Sequence, residues 1–162
     1  VRGALALVLA LAPAPLAAQP GPWLAARDAC WAAGGGTECA GRAADPCMEA
    51  DSSTVGMIGC LVDEADGWRA RIALMLADLR KRAAAQDASP PEPAAPDPPS
   101  ALAALDRVVG LWQDLIEARC TYEVIPYLGG TIRGPMGAGC RLEGVLDLAA
   151  YLAGLLSPVN DH

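Results

Sequence analysis

The chain is expected to be all-α: a small antiparallel helical bundle of three main helices, closed by disulfides. Three observations predict it. Alanine and leucine supply much of a 53% hydrophobic content, and phenylalanine is absent; such a composition favours helix over sheet. Apolar residues recur at spacings of three and four in three separate stretches, the stripe of an amphipathic helix. Six cysteines are spread along the chain, an even number that in an exported protein reads as up to three bridges.

Export is expected from residues 1–18. Arg2 is followed by the apolar run Gly3–Ala12 and by small residues ending at Ala17-Ala18, the form of a signal peptide. The run is too short to span a bilayer, which takes about 20 residues, so no stable membrane insertion is expected after cleavage. Residues 19–46 read as an N-terminal extension containing glycine and cysteine. In it, Trp23–Trp31 makes two helical turns with Trp23, Ala26 and Cys30 on one side, and Gly34-Gly35-Gly36 ends them. Cys30 and Cys39 face each other across that turn, and a local bridge is their simplest pairing. Trp23 and Trp31 are packing anchors on this reading, because aromatics chiefly supply buried area.

Residues 47–157 form the main domain. Asp45-Pro46 opens a short turn, proline being tolerated at a first helical position. Ser52, Ser53 and Thr54 offer N-caps. From there Met57, Leu61, Ala65, Trp68, Ile72, Met75 and Leu79 define a helix running to about Gln86. Asp63, Glu64 and Asp66 read as a solvated face, since no basic or nucleophilic partner accompanies them. Residues 87–100 hold six prolines and no large apolar residue, which predicts an exposed extended connector. Ser100 caps the next helix, to Glu123, about which the chain is expected to be organised. Its inward face is Leu105, Val108, Trp112, Leu115, Ile116 and Arg119, bordered by Leu102 and Val109, and Trp112 is expected to meet Trp68. The glycine-rich stretch Gly129–Gly139 then reads as a helix–helix connection. The last helix starts at Pro135 or Gly139 and turns Leu142, Val145, Leu146, Ala149, Leu152 and Leu156 inward, with Ser157-Pro158 stopping it.

An up-down-up bundle gathers Cys47, Cys60, Cys120 and Cys140 at one pole. The favoured pairing joins Cys60 to Cys120 or Cys140, with Cys47 taking the other. Each long loop so closed would contribute about 4 kcal/mol in the entropy model.

Several function classes are excluded or weakened. The formal net charge is −7, with Lys81 the only lysine. Nucleic acid and anionic membrane surfaces need a basic footprint, whereas an acidic chain attracts a cationic partner. The one histidine is the last residue, His162, so Ser/His/Asp and Cys/His catalysis have no base. No CxxC pair occurs, and a metal site would rest on thiolates alone. The glycine-rich stretch follows no strand and lacks a Lys-Ser/Thr pair, so it is no phosphate loop. No catalytic residue, cofactor or metal is expected.

Thr54, Met57 and Cys60 stand at the spacing of a T-x-x-M-x-x-C signature. Trp68, then Trp112, Glu117 and Cys120, then Glu123, Gly129-Gly130-Thr131 and Cys140 follow in order. In these residues the stretch from about Cys47 to Leu156 resembles the lysozyme-inhibitor LprI-like domain family. The resemblance implies a protein partner, lysozyme for some members, and a periplasmic or secreted location. The departures run one way. Polar positions of the family pattern are Ala73, Leu76, Val109, Ile116, Val145 and Leu148 here. The resemblance therefore implies the fold and leaves two roles: a lysozyme inhibitor, or an envelope accessory or stress protein without lysozyme activity. As an inhibitor, the protein must address the carboxylate pair of a glycosidase cleft. Arg133, read as the tip of the glycine-rich loop, is the candidate partner-binding residue.

Overall fold

The computed structural model describes residues 23–89 and 98–157. Within them the chain is all-helical: α1 (Leu24–Ala32), α2 (Ala44–Ala50), α3 (Thr54–Ala88), α4 (Ala101–Glu123) and α5 (Arg133–Leu156), with 3-10 turns at Thr37–Cys39 and Ile125–Tyr127. No strand occurs among the described residues. The expected leader at 1–18, the interior of the proline-rich connector, Pro158 and His162 lie outside them.

The 35-residue α3 is about 52 Å long and forms the wall of the bundle. The Ser53 hydroxyl caps it, accepting from the Gly56 N–H at 3.0 Å. Its expected stripe is its inner face: Ala65, Trp68, Ile72, Met75 and Leu79 are buried, and Leu61 packs against them. The helix runs two residues past the expected end, to Ala88, since no proline interrupts it before Pro90. Asp87 thereby reaches the start of α4. Its carboxylate accepts from the Ser100 hydroxyl at 2.8 Å and from the Ala101 and Leu102 N–H groups at 2.6 and 3.2 Å.

The centre of the bundle is α5, not α4 as the sequence suggested: α5 has eleven buried residues and α4 has three. Small residues explain it. Gly137, Ala138, Gly144 and Ala149 let neighbours close on α5 from more than one side. At Gly144 an added Cβ would stand 2.6 Å from the Ile116 side chain, so α4 lies directly on the α5 backbone there. That seat rotates α4 relative to expectation. Its buried residues are Val109, Ile116 and Cys120, while Leu115 is 62% exposed.

The tryptophans pair otherwise than expected. Trp68 meets Trp31 edge-on with centroids 5.0 Å apart, and Trp112 stacks on Tyr151 at 5.3 Å. Trp68 on α3 is covered by the N-terminal segment and Trp112 on α4 by Tyr151 of α5, so each ring finds its neighbour elsewhere.

The disulfides are Cys30–Cys39, Cys47–Cys60 and Cys120–Cys140. The first was expected. The other two correct the favoured crossed pairing. α2 folds back on the first turns of α3, which puts Cys47 beside Cys60, and α4 hands over to α5 within the reach of Cys120 and Cys140. Both bridges are therefore local, with separations of 13 and 20 residues, and each is worth about 3 kcal/mol in the same entropy model.

The N-terminal segment is clasped by a carboxylate that the sequence reading placed in solvent. Glu64 is fully buried. Its side chain accepts from the Gly41, Ala43 and Ala44 N–H groups at 3.1, 3.0 and 2.6 Å and from the Trp68 indole N–H at 3.3 Å. Three of these donors are backbone groups at the entry of α2, which has no side-chain cap of its own; a carboxylate there complements both the orphan N–H groups and the helix dipole. Arg27 is also buried, over the Trp68 ring at 5.5 Å. The inward side of α1 is thus Arg27 and Cys30 with Trp31, whereas Trp23 and Ala26 are exposed. Gly67 makes room for Arg27: an added Cβ would overlap its guanidinium.

Candidate partner-binding site

Charge is distributed unevenly in this acidic chain. Residues 52–62, the approach to α3 and its first turns, carry no charge. Residues 124–140, from the end of α4 into α5, carry one, Arg133. The fold brings both stretches to the same pole. α5 begins against α3, where a Cβ on Gly134 would stand 2.5 Å from Ile58. The Cys120–Cys140 bond ties α4 to α5 one or two turns further in.

Arg133 is not at a loop tip as expected. It is the first residue of α5, because Ile132 already has helical dihedrals and Pro135 sits in the first turn, where its missing N–H is not needed. The Arg133 side chain is exposed and forms no ion pair among the described residues. The other two arginines of this end are engaged. Arg141 pairs with Glu117 through contacts of 3.2 Å. Arg119 donates to the Cys140 carbonyl at 3.3 Å and lies 3.4, 3.5 and 3.9 Å from Glu123, Glu143 and Asp147. Its Nε is buried without a hydrogen bond.

The connection to Arg133 is a run of tight turns. Tyr127 N–H donates to the Val124 carbonyl, Gly130 N–H to Tyr127, and Arg133 N–H to Gly130. Gly129 supplies the one positive φ, +89°, which a side chain would resist. Along this run large apolar side chains face solvent: Tyr122, Ile125, Leu128, Ile132 and Met136, joined by Val55 from the first turn of α3. Sequence reading singled out Arg133 and missed this collar. The signal was present as two stretches, 52–62 with no charge and 124–140 with Arg133 alone, set between the charged residues Asp51, Asp63, Glu123 and Arg141.

A second feature lies at mid-height. Between α3 and α4 runs a groove of about 410 Å³. Its walls include Ala73, Leu76, Ile116, Val145 and Leu148, five of the positions at which the chain departs from the polar residues that the resemblance implies, and Arg69, Gln113 and Glu117 also line it. The six cysteines are all bridged. No cluster of His, Cys, Asp or Glu able to hold a metal ion occurs among the described residues, and no helix among them is long and apolar enough to cross a membrane.

Comparison with known families gives one match: the profile of a family described as "Lysozyme inhibitor LprI" fits residues 44–152, well over half of the chain. It begins at α2 and ends in α5, so it takes in the pole, the groove and two of the three disulfides. No curated protein sequence and no solved structure matches the chain.

Proposed function

The chain belongs to the lysozyme inhibitor LprI family, and on that premise we propose that it is an exported, disulfide-bonded binding protein of the periplasm or extracellular space that blocks a cationic lysozyme and performs no chemistry itself. Residues 1–18 direct export and are removed. The three disulfides suit an oxidising compartment.

One observation carries the reading: Arg133 is an exposed cation that forms no ion pair among the described residues, and it is the one charged residue in the stretches 52–62 and 124–140 of a protein with net charge −7. The acidic remainder attracts a cationic enzyme and speeds encounter. At the contact itself a positive group is required, because the catalytic cleft of a glycosidase presents a pair of carboxylates. Arg133 supplies that group, and Glu123 and Glu143, the nearest acids in sequence on either side, both lie beside Arg119.

Lysis of a bacterial cell-wall suspension by lysozymes of several types tests it. The purified protein slows lysis at micromolar concentration, and Arg133→Ala loses most of that effect. An Arg133→Ala protein that inhibits as well as wild type removes Arg133 from the mechanism; failure of wild type against every lysozyme removes the inhibitor role. The apolar groove favours a second reading in that case: an envelope accessory protein that recognises an apolar segment of another protein between α3 and α4.

A further inference from the structure

We propose that the exposed apolar collar of this pole, and not Arg133 alone, is the binding surface, and that it occupies the substrate cleft of the lysozyme in competition with the sugar chain. The inference rests on the lysozyme-binding reading and names the surface that reading leaves open.

Three observations carry it. The first is exposure. Tyr122, Leu128 and Ile125 are 74%, 60% and 52% exposed. Soluble chains seldom leave several large apolar side chains together in solvent unless they meet a partner, and aromatic and aliphatic anchors at the centre of an interface carry most of its energy. The second is shape. The turns from Val124 to Arg133 join the end of α4 to the start of α5, and the Cys120–Cys140 bond holds these two helices together, so the surface is about two helix ends wide, each about 10 Å across. A surface that narrow fits a cleft. The third is order. The Cys120–Cys140 bond pins both flanks of the connection, and the three successive turns hold what lies between. Little conformational freedom is left to lose on binding.

Charge selects the occupant. Arg133 stands inside the apolar collar, matching a cleft whose walls are apolar to receive sugar rings and whose centre is a carboxylate pair. The carboxylates of Glu117, Glu123, Glu143 and Asp147 lie behind the pole along α4 and α5, where they meet the cationic rim of the enzyme. A lipid surface offers anions without a cleft, and a second copy of this chain would bring Arg133 against Arg133.

The test uses the full disulfide-bonded protein and a lysozyme it inhibits. Leu128→Asp and Ile132→Asp are compared with Leu74→Asp, a change at an equally exposed leucine of α3 (72% exposed) away from the pole. Circular dichroism and thermal unfolding check that all three fold. Expected results are a loss of affinity of about tenfold or more for each pole variant, no change for Leu74→Asp, and displacement of wild type by a soluble N-acetylglucosamine oligomer. Pole variants that bind like wild type overturn the inference while inhibition by wild type stands. Inhibition without sugar competition overturns the cleft. Sedimentation of wild type as a dimer that Leu128→Asp separates assigns the pole to self-association and overturns it as well. A wild-type protein that binds no lysozyme ends both this inference and the function on which it rests.

Discussion

Glu64 and Asp87 show how much of this fold hangs on single carboxylates placed against orphan N–H groups. Glu64 is the heavier case because it is buried and satisfies four donors. Glu64→Ala leaves three backbone N–H groups at the entry of α2 and the Trp68 indole without acceptors. Urea unfolding should show a loss of about 3 kcal/mol. Glu64→Gln should also destabilise, since its NH2 must face either the Gly41 and Trp68 donors or those of Ala43 and Ala44. Asp87 is exposed, and its effect is read through pH. The Ser100 hydroxyl, then the Ala101 and Leu102 amides, hold its carboxyl below the usual value of 3.8. A carboxyl lowered in the folded state contributes stability that is complete above the unfolded value and is lost as pH falls through the folded one. The junction between α3 and α4 should therefore loosen below about pH 4. Hydrogen exchange at the Ala101–Ala104 amides as pH is lowered checks it. Asp87→Asn should exchange faster at neutral pH and show less further change on acidification.

At the level of elements, helix existence was legible and helix rank was not. The α3 stripe and the α5 face follow from apolar spacing, and the caps at Ser53 and Ser100 from residue type, because both signals are local. Three things escaped. Gly129–Gly139 reads as a loop by composition, with helix expected from Pro135 or Gly139, yet it is helix from Arg133 onward, since Pro135, Gly137 and Ala138 are buried and packing outweighs weak propensity. Glu64 reads as solvated by type, although Cys60, Glu64 and Trp68 at spacings of four already place it on an inward face. The crossed disulfides follow from assuming that only α3, α4 and α5 bring cysteines together, and α2 folding back changes the partner of Cys60. The dominance of α5 over α4 rests on Gly144, and it yields a direct prediction. Gly144→Ala puts a methyl group into the Ile116 side chain, a branched residue with little room to turn. It should cost about 1–3 kcal/mol, despite the better intrinsic helix propensity of alanine. A stabilised Gly144→Ala protein would mean that α4 can slide along α5 without loss.

Across the whole molecule, charge is spread unevenly. Acids dominate the chain, while the pole built from residues 52–62 and 124–140 holds only Arg133. Such a distribution divides binding into two steps with different physics. Approach is governed by the long-range field of the acidic remainder, which reaches about 30 Å at 0.01 M salt and about 8 Å at 0.15 M. Retention is governed by apolar contacts and by Arg133, which act at contact distance and are screened little once water is excluded. Raising salt over that range should therefore lower the association rate with a cationic lysozyme by about tenfold and change the dissociation rate by less than about twofold. Arg133→Ala should do the reverse, raising the dissociation rate and leaving the salt slope of association nearly unchanged or slightly steeper, since it removes a positive charge from an acidic protein. Stopped-flow or surface-binding kinetics at four salt concentrations separate the two. If salt acts mainly on dissociation, the acidic carboxylates behind the pole are themselves the buried contact, and the apolar collar is not what holds the enzyme.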